Sequence, residues 1–151
     1  MIKKHFKKII CGVLTAALAV WLFFFNITIV SGVSMMPTLK DGDVLIAQTR
    51  CFDIKPGDIV IASVKGELLI KRVIAVPGDT VQIMNSYVFV NDEIIEGSPT
   101  TDFSMRYDDP TVVPEGKYFL LGDNREQSRD SRVFGFVDED NILGIIVYGA
   151  N

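Results

Sequence analysis

Between Ile9 and Val30 the chain carries no charged residue. A run of this length spans bilayer hydrocarbon as a helix, which takes about 20 apolar residues. It has no polar face, so it does not read as an amphipathic helix of a soluble core. Asn26 and Thr28 are mild exceptions near its outer end. Lys3, Lys4, Lys7 and Lys8 precede the run, and all 19 acidic residues follow it. Lysines next to a span stay on the cytoplasmic side. The expected organisation is a cytoplasmic N-terminus over 1–8, a transmembrane helix over 9–30 and an extracytoplasmic domain over 31–151. That makes a single-pass protein of the cell membrane, with the lipid bilayer as a partner. A cleaved signal peptide is the rival reading, because Ala17-Leu18-Ala19 has the small-x-small form of a cleavage site. Trp21-Leu22-Phe23-Phe24-Phe25 follows directly, so cleavage there would fall inside the apolar run.

The part beyond the run is large enough for one core. It is acidic, within a chain of formal net charge −4. No nucleic acid is expected as a partner, since phosphate contacts need clustered Lys or Arg. Cys11 lies in the apolar run and Cys51 beyond it, so no intrachain disulfide is expected. His5 is the one histidine. A His/Cys zinc site therefore cannot be assembled beyond the run, and neither a metal nor a cofactor is expected.

Past Ser31, short apolar runs alternate with turn signals. Val44-Leu45-Ile46-Ala47 follows Lys40-Asp41-Gly42-Asp43, and Asp58-Ile59-Val60-Ile61-Ala62 follows Lys55-Pro56-Gly57. Leu68 to Val76 stops at Pro77-Gly78-Asp79. Val81-Gln82-Ile83, Tyr87 to Val90, Tyr118 to Leu121 and Ile142 to Tyr148 complete the set. This spacing predicts a mainly β domain, a barrel or sandwich. No later segment has helical periodicity. Gly97 to Pro114 is polar and proline-containing, and reads as an exposed loop.

Three segments carry candidate chemistry. Ser34 sits in Ser31-Gly32-Val33-Ser34-Met35-Met36-Pro37, where the chain leaves the apolar run. A serine hydroxyl is a weak nucleophile until a base takes its proton. His5 lies before the run, so the base must be Lys, Glu or Asp. Alternation along Leu68 to Val76 puts Leu69, Lys71, Val73 and Ala75 on one face. A lysine in an apolar row either snorkels from a strand edge or is buried. Burial lowers its pKa from about 10.4 towards neutrality, which would make it a base for Ser34. Arg72 points to the opposite face and stays protonated. The third segment, Gly122-Asp123-Asn124-Arg125 through Arg132, is polar between apolar flanks and reads either as a solvated loop or as a partly buried network. In the second case Asp130 and Arg132 can pair, and Ser128 can orient a lysine amine.

Together the segments resemble bacterial type I signal peptidases of the compact, Gram-positive kind, which are membrane-anchored Ser–Lys proteases that remove signal peptides. Ser34-Met35-Met36-Pro37-Thr38 is similar to the nucleophile motif, Lys71 to Asp79 to the base motif, and Gly122 to Arg132 to the third motif. The resemblance implies a signal-peptidase-type β-barrel or sandwich catalytic domain behind one N-terminal transmembrane helix. It implies exported preproteins as substrates, Ser34 as nucleophile and Lys71 as general base. Ser128 would hydrogen-bond the Lys71 amine, with Asp130 and Arg132 as a supporting salt bridge. The backbone N–H of Ser34 would be one oxyanion donor. Gly32 occupies a position where some members supply a serine hydroxyl, so a backbone group would replace that donor. Val30, Leu39 and Ile70 match the lining of the family's apolar substrate cleft.

Two other readings share these residues. Self-cleaving repressors of the SOS kind also use a Ser–Lys pair, but they are cytoplasmic and carry a DNA-binding domain. A signal-peptidase-like factor dedicated to pilin or other surface-protein assembly, catalytic or non-catalytic, is the alternative from a different class. Retention of both Ser34 and Lys71 counts against a non-catalytic role.

Overall fold

The computed structural model describes residues 2–50, 53–95 and 107–149. Helix α1 (Ile2–Phe24) leads into strands β1 (Phe25–Ile29), β2 (Val44–Gln48), β3 (Ile59–Val64) and β4 (Glu67–Ala75). Then come β5 (Thr80–Met84), β6 (Tyr87–Val90), β7 (Glu93–Ile94), β8 (Thr111–Val112) and β9 (Lys117–Leu121). A one-turn helix, α2 (Ser131–Phe134), precedes β10 (Val137–Asp138) and β11 (Ile142–Tyr148). The chain is mainly β. Among the described residues the strands form a seven-stranded sheet, β1-β2-β11-β3-β4-β9-β10, and a four-stranded sheet, β7-β6-β5-β8.

Helix α1 is long and apolar enough to cross a membrane. Lys7–Phe24 has a mean hydropathy of 1.8 and none of it is buried. Its C-terminal carbonyls are held by the residues after β2. Thr49 donates its N–H (2.8 Å) and Oγ1 (3.2 Å) to Phe24 O, and Arg50 Nε donates to Phe23 O at 3.2 Å. The helix expected over 9–30 therefore ends at Phe24. Phe25-Asn26-Ile27-Thr28-Ile29 instead pairs antiparallel with β2, from Phe25↔Gln48 to Ile29↔Val44. Three consecutive β-branched residues suit a strand better than a helix, and β2 offers them an edge. A charge-free run reports where lipid is tolerated, not where the helix stops.

Hairpins fix the registers. Lys65-Gly66, Asn85-Ser86 and Asn91-Asp92 each join two strands, and all six residues have positive φ. That is the two-residue turn whose twist matches paired strands. A second turn recurs three times, at 40–43, 55–58 and 76–79. In each, the closing aspartate (Asp43, Asp58, Asp79) accepts the backbone N–H three residues earlier, at 2.7, 2.8 and 3.0 Å. Each is docked by a pair of backbone hydrogen bonds to a buried valine: Val30, Val73 and Val113 in turn. The sequence shows these turns; their common docking is visible only in the fold.

The loop expected over Gly97–Pro114 is corrected at its C-terminal end. Thr111–Val112 pairs with β5, and Tyr107 and Val113 are buried. Tyr107 packs edge-on against Phe119 and Phe136, with ring centroids 5.1 and 5.6 Å apart. Aromatic burial and an open β5 edge outweigh the polar composition of this stretch. Positions 97–106, and Cys51, lie outside the described residues. The core of the large sheet, Val60, Ala62, Val73, Tyr118, Leu120 and Ile142 among others, backs the middle of β4. A smaller cluster of Val30, Met35, Leu39, Leu45 and Ile59 lies under the turn that carries Ser34.

Candidate active site

Ser34 lies in a tight turn between β1 and β2. Met36 N donates to Val33 O, and Leu39 N to Met35 O. The Met36–Pro37 peptide is cis. Met35 and Leu39 anchor the turn in the core, at 1% and 0% exposure, which leaves Ser34 half-buried at its surface. Strand β4 enters from the other side. Its register with β3, Val60↔Lys71 and Ile61↔Ile70, fixes where Lys71 points. Lys71 Nζ sits 2.8 Å from Ser34 Oγ and 2.9 Å from Ile70 O. Only 3% of Lys71 is exposed. Burial pushes its pKa down, against the opposing pull of the Asp130 and Asp123 charges.

The third segment holds the two together. Asn124 N donates to Ser34 O (3.0 Å) and Asn124 Nδ2 to Val33 O (3.1 Å). Asp123 accepts a fork from Arg72, at 2.8 and 2.6 Å. Burial alone would raise the Asp123 pKa; hydrogen bonds from Arg72 and Thr38 and the nearby guanidinium charges bring it below its usual value. Asp123 thus links the serine turn, through Thr38, to the lysine strand, through Arg72. Asp130 and Arg132 form a fully buried pair, with Arg132 Nε 2.8 Å from Oδ1 and Nη2 2.9 Å from Oδ2. Asp130 also accepts the Gly122 N–H at 3.0 Å, and Arg132 donates to Arg125 O and Ser128 O. Ser131 Oγ accepts the Leu120 N–H at 2.9 Å, which ties α2 to β9.

Two expectations are corrected here. Ser128 does not hydrogen-bond Lys71: its Oγ is buried with no partner, packed against Gly122. The lysine amine is turned instead towards Ser34 and the Ile70 carbonyl. Leu39 does not line the cleft beside Ser34. The Leu39 side chain is wholly buried in the cluster beneath it. The Gly32 N–H, a candidate backbone oxyanion donor by position, is already donated to Asp41 Oδ1 at 2.8 Å.

The cleft itself has a volume of about 220 Å³. Val30 and Ile70 line it, with Ile29, Met35, Ile61 and Leu69, and so do Ser34 and Lys71. Sequence reasoning passed over Asp123 and Asn124 as individual anchors, although both stand in the polar segment it singled out. It also missed Ile61, whose register with Ile70 only the hairpin reveals. Among the described residues no group of His, Cys, Asp and Glu could hold a metal ion.

The sequence matches the protein family described as signal peptidase, peptidase S26, over residues 2–148. It is 39% identical over 141 residues to signal peptidase I of Bacillus caldolyticus, an alignment covering 82% of this chain and 78% of that protein. It is 36% identical over 142 residues to signal peptidase IB of Staphylococcus aureus strain COL, covering 79% and 74%. The crystal structure of a signal peptidase I from Enterococcus faecalis V583 superposes with a TM-score of 0.53 at 29% identity, covering 64% of this chain and 98% of that one. With a match that runs from the apolar helix to the last strand, the chain belongs to the peptidase S26 family of signal peptidases.

Proposed function

We propose that this protein is a serine endopeptidase that cleaves signal peptides from preproteins, with Ser34 as nucleophile and Lys71 as general base. The observation that carries the assignment of residues is the 2.8 Å contact between Lys71 Nζ and Ser34 Oγ in a buried setting. A neutral amine accepts the serine proton as Oγ attacks the scissile carbonyl. The resulting ammonium then protonates the leaving amine, and the acyl-enzyme remains. Water, deprotonated by the same amine, releases the signal peptide and restores Ser34. The backbone N–H of Ser34 would hold the developing oxyanion, a contact worth about 3–4 kcal/mol. Asp130 and Arg132 support the site from beneath.

Sheet topology suggests how substrate lies. Among the described residues β1 pairs only with β2, and the Glu67–Lys71 half of β4 pairs only with β3. Both strands line the cleft beside Ser34. An extended substrate segment between these two open edges can complete backbone pairing while its side chains enter the apolar cleft. Small residues at −1 and −3 fit a cleft of this volume.

A membrane-anchored protein fits helix α1 and the family. We assign the lysine-rich N-terminus to the cytoplasm, the helix to the bilayer and the remainder to the outside, on the charge asymmetry of the sequence. The relatives do not favour a role as a non-catalytic assembly factor. The test is cleavage of an exported precursor with small residues at −1 and −3 by the full-length protein in detergent, beside Lys71→Ala. Cleavage after the −1 residue by the wild type alone is expected. Equal cleavage by both would overturn the pairing of serine and lysine.

A further inference from the structure

A second cleft adjoins the one that holds Ser34. Its volume is about 480 Å³, and Thr28, Ile61 and Leu68 belong to both. The two form one trough between β1 and β4, leading from Ser34 back towards the end of α1. Its far end carries the polar groups of Asn26, Thr49 and Arg50. From Val30 to Asn26 an extended strand covers about 13 Å, so a substrate strand alongside would reach the far end about four residues upstream of those beside Ser34.

Arg50 closes that end. Its Nε caps Phe23 O, and its guanidinium lies 4.3 Å over the Phe23 ring. The two Nη groups make no hydrogen bond or ion pair with a described residue, and the side chain is exposed. A signal peptide carries its positive residues before its apolar segment, as this chain does before α1, so the same charge rule gives both helices one orientation. Its apolar helix therefore ends at the same membrane face, with C-terminal carbonyls unsatisfied and the negative end of its dipole outward.

We propose that the distal cleft is a substrate subsite for residues at about −5 and −6, and that Arg50 binds the C-terminal carbonyls of the substrate's apolar helix. One guanidinium then caps two helices: the protein's own through Nε and the substrate's through Nη. The spacing between Arg50 and Ser34 sets how many residues must separate a signal peptide's apolar helix from its cleavage site. This inference rests on the function proposed above.

The experiment uses the full chain in zwitterionic detergent. Its substrates are precursors that differ only in carrying four to nine residues between apolar segment and cleavage site, plus a short peptide spanning −4 to +2. For wild type, kcat/KM should peak at five or six residues. Arg50→Gln should flatten the series and lower kcat/KM on the best precursor about tenfold, through KM, as expected for one lost charge-assisted contact. Arg50→Lys should fall between. Leu143→Trp, which narrows the distal cleft at a residue that makes no hydrogen bond of the helix cap, should likewise weaken precursor cleavage. On the short peptide, which stops before the distal cleft, none of the three variants should differ from wild type by more than about twofold. A wild-type length profile retained by Arg50→Gln would overturn the proposal. So would an equal loss on the short peptide, which would make Arg50 a support of the fold. An Arg50→Gln defect that appears only when anionic lipid is added would assign the guanidinium to lipid phosphate and overturn it as well. If wild type cleaves neither precursor nor short peptide, the proteolytic reading fails and this inference with it. Short-peptide cleavage without any length preference would overturn the inference alone.

Discussion

Lys71 Nζ and Ser34 Oγ lie 2.8 Å apart, although 37 positions separate the two residues in the chain. Neither of the amine's hydrogen-bond partners, Ser34 Oγ and Ile70 O, carries a charge. The lysine is thus buried without a contacting counter-ion, an arrangement costly to stability and useful for a base. Ser34→Ala and Lys71→Met should each lower kcat/KM by at least about 10³-fold, and the double variant should be no worse than either single one, because the pair acts as a unit. Lys71→Met fills similar volume without a charge. Its thermal midpoint should equal or exceed that of wild type, and a clear drop would mean that the lysine stabilises the fold.

Proton linkage makes the same point through pH. The unfolded chain titrates Lys71 near its ordinary value of 10.5, and the folded chain below it. Between those two values the unfolded state binds more protons, so stability rises with pH. Below the lowered pKa the full burial penalty applies. The stability deficit of wild type relative to Lys71→Met should therefore shrink as pH climbs towards 10.5. Activity should rise with pH through the lowered pKa as the amine becomes a free base, and fall in acid. Denaturant titrations of both proteins at neutral and alkaline pH, beside a kcat/KM profile, measure each effect.

Asp130 and Arg132 make a different kind of buried pair, with both side chains wholly buried and joined by two hydrogen bonds. Removing one partner leaves a buried charge alone, which costs about 3–5 kcal/mol. Asp130→Ala should therefore lower the thermal midpoint by about 10 °C or more, with loss of activity as the segment shifts. Asp130→Ala combined with Arg132→Met removes both charges and should recover more than half of that stability. Additive losses would show that the pair is not coupled.

The sequence made the strands and the chemistry legible for separate reasons. Strands appear as β-branched runs between Gly-Asp turns, and the reactive pair as a serine after the anchor and a lysine in an apolar row. Other features depend on partners distant in sequence. The end of α1 at Phe24 depends on β2 and on Thr49 and Arg50 as well as on the local β-branched run, and those partners lie distant in sequence. Leu39 looks like cleft lining by position, yet three-dimensional packing puts it under the serine turn. The Ser128 hydroxyl is in the right segment, but it is buried against Gly122 without a hydrogen-bond partner, which the polar composition of the segment does not reveal.

Gly122 gives the sharpest test of that packing. A Cβ there would lie 2.2 Å from Ser128 Oγ and 2.5 Å from the backbone oxygen of Ser34. The first clash involves a short side chain, and deleting that side chain relieves it. The second involves the main chain of the serine turn, held by Asn124 N at 3.0 Å, so it can be relieved only by moving Ser34. A displacement of about 1 Å at a reacting group costs on the order of 10²-fold in rate. Gly122→Ala should therefore lower kcat by about that factor. Adding Ser128→Gly removes the side-chain clash but leaves the Ser34 clash in place, so the double variant should regain thermal stability without regaining kcat. Full recovery of kcat would show that Ser128, and not the position of the serine turn, is what Gly122 protects.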